Sequence, residues 1–108
     1  MKRGDIVTVA VQGDFGKPRP ALVVQSDLFA DHATVTLLPV SSTIVDSPLL
    51  RMTVEPTPAN GLRLRSQIMI DKATTVLRAK VGHVVGRLDA TGMVEVERLL
   101  ALFLGLAR

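Results

Sequence analysis

Short β-branched and apolar runs fill most of the chain, and the period of the pattern changes only near its end. Ile6 to Val11, broken by Thr8 and Ala10, predicts a first strand. Gln12 to Pro20 carries Gly13, Gly16, Pro18 and Pro20 and reads as a loop, because such residues do not sit inside a regular ladder. Ala21 to Gln25 is a second, apolar strand, expected at the centre of a sheet, and Ser26 to Ala33 is a connection. Thr34 to Val40 forms a third strand, ended by Pro39 and the hydroxyl cluster Ser41-Ser42-Thr43. A loop around Pro48 follows, then an alternating strand from Arg51 to Glu55. Pro56, Pro58, Asn60 and Gly61 mark a turn. Ser66 to Ile70 is a fifth strand, and Asp71 to Thr75 turns away from it. Lys80 to Arg87 either pairs at a sheet edge or carries a short helix first.

The last segment has a helical period. Met93, Val96, Leu99, Leu100, Phe103 and Leu104 share one face, while Glu95, Glu97 and Arg98 point elsewhere. Asp89 is placed to cap the start and Gly105 to close the end. Gly92 weakens the first turn, by about 1 kcal/mol relative to Ala. Leu99, Leu102, Leu104 and Leu106 add more apolar surface than one covered face requires, which points to a dimer interface. Five or six short strands followed by one amphipathic helix predict a mainly β, α+β fold. The sheet should be antiparallel and strongly bent, or a small barrel, with the helix laid against it. At 108 residues and with no linker or repeat, the chain reads as a single domain spanning 1–108.

Composition narrows the chemistry. Apolar residues make up 47% and charged residues 21%, which excludes a disordered chain. The absence of Cys removes disulfides and thiolate zinc sites, and His32 and His83 are too few for a histidine metal centre. The net charge of +3 permits a nucleic-acid partner. With three Phe and neither Tyr nor Trp, a base-stacking platform has little to stand on. No apolar leader precedes the first strand, and the run Leu99–Leu106 is too short to span a bilayer. The expected location is the cytoplasm, with no membrane partner.

Five segments, in order along the chain, resemble the MazF/PemK toxins. They are Arg3-Gly4-Asp5-Ile6-Val7, Lys17-Pro18-Arg19-Pro20-Ala21-Leu22-Val23-Val24-Gln25, Leu38-Pro39-Val40-Ser41-Ser42, Ser66-Gln67-Ile68-Met69-Ile70-Asp71-Lys72 and Gly86-Arg87-Leu88-Asp89. The resemblance implies an SH3-like barrel of the CcdB/MazF type with a C-terminal helix, acting as a homodimer. It implies a toxin that cleaves single-stranded mRNA sequence-specifically without a metal or other cofactor. The products would carry a 2′,3′-cyclic phosphate and a 5′-hydroxyl, and a cognate antitoxin protein would block the site. Two other classes share the fold: a CcdB-like gyrase poison, which would not need Arg19 with Ser41, and a non-catalytic SH3-like module. Such modules display an aromatic groove that this chain lacks the residues to build.

Cleavage through the 2′-hydroxyl needs that group oriented, the extra phosphate charge stabilised and two protons managed. Arg19 suits the second task, since a guanidinium can hold two phosphate oxygens at once. Ser41 stands where the family has Thr, and Ser42 stands in its Ser position. Either hydroxyl can donate to a phosphoryl oxygen or orient the 2′-hydroxyl. Some family members carry Asp where this chain has Ser66, which leaves the general base without a candidate there. Asp71 is a carboxylate of the right type, but the pattern sets it at a turn. Gln67 can read a base edge or bond a neighbouring loop. Lys17, Arg63 and Arg65 can contact phosphates or remain solvated, Phe15 can stack on a base from the loop, and His32 and His83 read as structural or surface residues.

Overall fold

The computed structural model describes residues 1–10 and 17–107. Its strands are β1 (Asp5–Ala10), β2 (Pro18–Val23), β3 (Thr34–Ser41), β4 (Arg51–Val54), β5 (Ser66–Met69), β6 (Thr74–Leu77) and β7 (Val81–Arg87), followed by the helix α1 (Ala90–Phe103). The order across the sheet is β4-β5-β3-β2-β1-β7, with β6 also on β3, and every pairing is antiparallel. β3 is the hub. It holds β2 along one edge through Leu37, Leu38 and Pro39. Its other edge takes β6 from Thr34 to Leu37 and β5 at Val40 and Ser41.

Side chains alternate across this sheet and build two cores. Ile6, Leu22, Leu38 and Ile68 pack with Met93, Val96 and Leu99 of α1. Val7, Val9, Ala21, Val23, Val35 and Leu37 point the other way and pack with Val76 and Val81 as the sheet curls. Both faces of the central strands are therefore buried, which accounts for their apolar runs.

The class matches the pattern, with three local corrections. β2 starts at Pro18 rather than Ala21, so both prolines lie in a strand. The ladder tolerates them because Pro18, Arg19 and Pro20 pair only with β1, and β3 joins β2 from Ala21 onward. Thr74 and Thr75, read as the end of a turn, open the strand β6 (Thr74–Leu77), and Ile70, read as the end of β5, is the buried first residue of a 3₁₀ turn before it. Finally, the barrel does not close by hydrogen-bonded pairing: no register joins β7 to β4 or β6 among the described residues.

A loop occupies the gap between β4 and β7 instead. Asn60, 4% exposed, organises it. Its Oδ1 accepts from the Thr57 and Leu62 N–H groups, and its Nδ2 donates to the Glu55 carbonyl. The loop lies directly on β7: the Arg87 N–H donates to the Ala59 carbonyl at 2.9 Å. No side chain fits between them, since a Cβ on Gly86 would stand 2.2 Å from the Asn60 carbonyl and one on Gly61 2.0 Å from that of Val85.

The helix begins and ends as the sequence predicts. Asp89 Oδ1 accepts from the Gly92 N–H at 2.6 Å. At the far end Leu106 N–H reaches the Ala101 carbonyl and Gly105 N–H that of Leu102, with Gly105 at φ 75°, a Schellman ending. Of the residues proposed for an interface, Leu99 is core, whereas Leu104 and Leu106 stand exposed beside Phe103.

Candidate functional site

The β2–β3 ladder stops at Ala21 and Pro39. Carried two residues further, the same register would set Arg19 opposite Ser41, on the face already shared by Ala21 and Pro39. There the strands part instead: Arg19 stays with Val9 of β1, and Ser41 pairs on its other edge with Gln67. A cleft of about 840 Å³ opens at this fork. Its lining takes Arg19, Pro39 and Ser41 from one face of the sheet and Thr8, Pro20 and Val40 from the other.

Of the residues expected from sequence, Arg19, Ser41, Ser42 and Arg63 line this cleft. Arg19 is exposed at its mouth. The Ser41 hydroxyl accepts from the Thr43 N–H at 3.1 Å, which fixes the oxygen and leaves its proton to donate. Ser66, 5% exposed, donates to the Leu64 carbonyl and lies at the back of the cleft.

Other expected residues stand elsewhere. Gln67 is 3% exposed and its amide is committed: Oε1 accepts from the Val45 N–H, while Nε2 donates to the Val45 carbonyl and to Thr53 Oγ1. Both amide donors and one oxygen lone pair of this buried side chain are used inside the fold, which favours the loop-bonding reading of Gln67 over the base-reading one. Arg65 pairs with Glu55 at 2.9 Å and is not on the lining. Lys17 is exposed just before β2 and also off the lining. Asp71 pairs with Arg51 in the turn after β5 and reaches Lys72 at 4.0 Å; it is not itself on the lining. Phe15 lies outside the described residues.

The sequence pattern missed two ionisable residues of the described lining, Lys72 and His83. Lys72 arrives because the 3₁₀ turn Ile70–Lys72 joins β5 to β6 along one edge of β3. His83 arrives through a bulge in β7. Val7 pairs with Val84 and Val9 with Val81, so Gly82 and His83 both oppose Thr8. The His83 N–H donates to Thr8 Oγ1 at 3.1 Å, and a Cβ at Gly82 would meet that same oxygen at 2.3 Å. No local signal announces either placement, since each depends on a long-range pairing.

The charged groups on the described lining are Arg19, Arg63 and Lys72, with His83 and no carboxylate. Such a cleft favours an anion. Among the described residues no group of His, Asp or Glu is arranged to hold a metal ion, and no helix is long and apolar enough to cross a membrane.

Comparison with known proteins identifies the family and the fold. A family model described as PemK-like, MazF-like toxin of type II toxin-antitoxin system matches residues 2–104. The chain is 52% identical over 108 residues to a probable endoribonuclease MazF of Mycolicibacterium smegmatis, covering 99% of each. Among solved structures, Mycobacterium tuberculosis toxin MazF-mt6 superposes with a TM-score of 0.82 at 21% identity, over 96% of this chain and 99% of that one. A mycobacterial endoribonuclease in complex with its cognate antitoxin also gives 0.82, at 22% identity over 100% and 98%. MazE-MazF from Deinococcus radiodurans gives 0.78, at 21% identity over 97% and 95%. The fold, the cleft and the full-length relative lead to one assignment: the chain belongs to the PemK-like, MazF-like toxins of type II toxin–antitoxin systems.

Proposed function

We propose that this toxin is an endoribonuclease that cuts single-stranded RNA at the fork between β2 and β3. The observation that carries the reading is the shared cleft of Arg19 and Ser41, lined by cations and by no described carboxylate. A phosphodiester entering there meets the Arg19 guanidinium, which neutralises the charge that grows on phosphorus as the 2′-oxygen attacks. Ser41 and Ser42 donate to a phosphoryl oxygen or align the 2′-hydroxyl. The O2′–P bond forms, the P–O5′ bond breaks, and the products are a 2′,3′-cyclic phosphate and a 5′-hydroxyl. The reaction needs only in-line geometry, charge stabilisation and two proton transfers. The RNA sequence read is set by the cleft walls, to which Arg63 contributes a phosphate contact.

The activity acts in the cytoplasm and is restrained by a cognate antitoxin. The exposed Phe103, Leu104 and Leu106 supply apolar surface for a second copy of the chain.

A long RNA incubated with the purified protein in EDTA tests this reading. The wild type yields discrete fragments ending in cyclic phosphate. Arg19→Ala lowers the cleavage rate by about a hundredfold or more, the scale of losing one transition-state charge partner. An intact RNA pool from a wild type that still arrests growth would refute it and favour the gyrase-poison reading.

A further inference from the structure

The cleft contains a cation to hold the phosphate and hydroxyls to orient it, but the residues considered for proton abstraction are occupied elsewhere. Ser66 is a hydroxyl rather than a carboxylate, and it donates to the Leu64 carbonyl. Asp71 is held between Arg51 and Lys72 and is not on the described lining. On the described lining, His83 is the side chain with a nitrogen lone pair able to take a proton. We propose that His83 is the general base of the RNA-cleaving reaction, a role that rests on the endoribonuclease reading above.

The backbone around His83 is built to present it. The bulge in β7 places two residues against Thr8, and the His83 N–H is anchored on the Thr8 hydroxyl. Gly82 gives that hydroxyl the room it needs. The imidazole itself stays exposed on the cleft. A bulge next to a cleft is a common device for re-aiming one side chain.

The step balances with no added reagent. An imidazole nitrogen takes the proton of the 2′-hydroxyl as the O2′–P bond forms. The P–O5′ electron pair leaves with the 5′-oxygen, which takes a proton from water, and the imidazolium returns its proton to solvent.

Single-turnover cleavage of an RNA oligonucleotide is compared with binding of the same sequence carrying 2′-deoxy at the cut nucleotide. His83→Ala and His83→Gln are each expected to slow cleavage by a hundredfold or more. Both should bind the deoxy oligonucleotide within about twofold of wild type, since a base acts on the reacting proton rather than on affinity. Added imidazole should restore part of the His83→Ala rate and none of the His83→Gln rate, where the amide fills the space. Wild-type rates in either variant, recovery by Gln alone, failure of imidazole rescue, or a loss confined to binding would overturn the assignment. A wild type that cuts no RNA would overturn the underlying activity instead, so the two failures are distinct.

Discussion

Gln67 commits both ends of its amide to the backbone of Val45, a few residues beyond Ser41 and Ser42. It thereby pins the segment that leaves β3 carrying the two hydroxyls. From sequence, reading a base edge and bonding a neighbouring loop stood equal, because an amide of either role looks the same until its partners are known. Gln67→Leu should cost about 1–3 kcal/mol of stability, the scale of leaving bonded polar groups without partners. Urea unfolding reads that directly, and cleavage should slow as the serines lose their fixed position. A variant as stable as wild type would mean that water replaces the clamp. Arg19 differs in kind. Its sequence neighbourhood already sets it beside prolines at a strand end, and the structure adds what it shares a cleft with.

At the level of elements, α1 was the most legible part of the chain, because its cap, apolar stripe and terminal glycine are all local signals. Asp89, Met93, Val96, Leu99 and Gly105 stand where the pattern requires them. Glu95 and Arg98 form an exposed pair one turn apart, and the hydrogen bond from Arg98 holds the Glu95 carboxyl below its usual range. The small stabilisation this brings is present above the ordinary Glu range and fades as pH falls through the lowered one. Strand limits were harder to read. Pro18 and Pro20 argue for a loop until one knows that this stretch has a single neighbour, and β6 is too short to stand out from a turn. Gly92 reads as a weakness because helix propensity is local, whereas its neighbours are not. A Cβ there would stand 2.7 Å from Leu88 Cγ and 2.9 Å from the capping Asp89 oxygen. Gly92→Ala, stabilising in an open helix, should here destabilise by about 1–3 kcal/mol, as overpacking does. A rise in melting temperature would show that the contact relaxes at little cost.

For the whole molecule, a net charge of +3 says only that an anionic partner is tolerated. The fold decides which cations act together. β2, the loop before β5 and the turn after it bring Arg19, Arg63 and Lys72 onto one cleft, although they are far apart in sequence. Arg65 neighbours Arg63 in sequence but is engaged with Glu55. Each phosphate neutralised on a single strand contributes about −0.7 to the slope of log K against log salt concentration. Three contacts therefore predict a slope of roughly −2 for an uncleavable oligonucleotide carrying 2′-deoxy at the cut nucleotide. Arg63→Ala and Lys72→Ala should each make the slope shallower by about 0.7, while Arg65→Ala should leave it unchanged. Equal effects from Arg63 and Arg65 would mean that overall charge, rather than this cleft, attracts the strand. A shallower slope confined to the lining residues would instead locate the phosphate path along the fork where β2 and β3 separate.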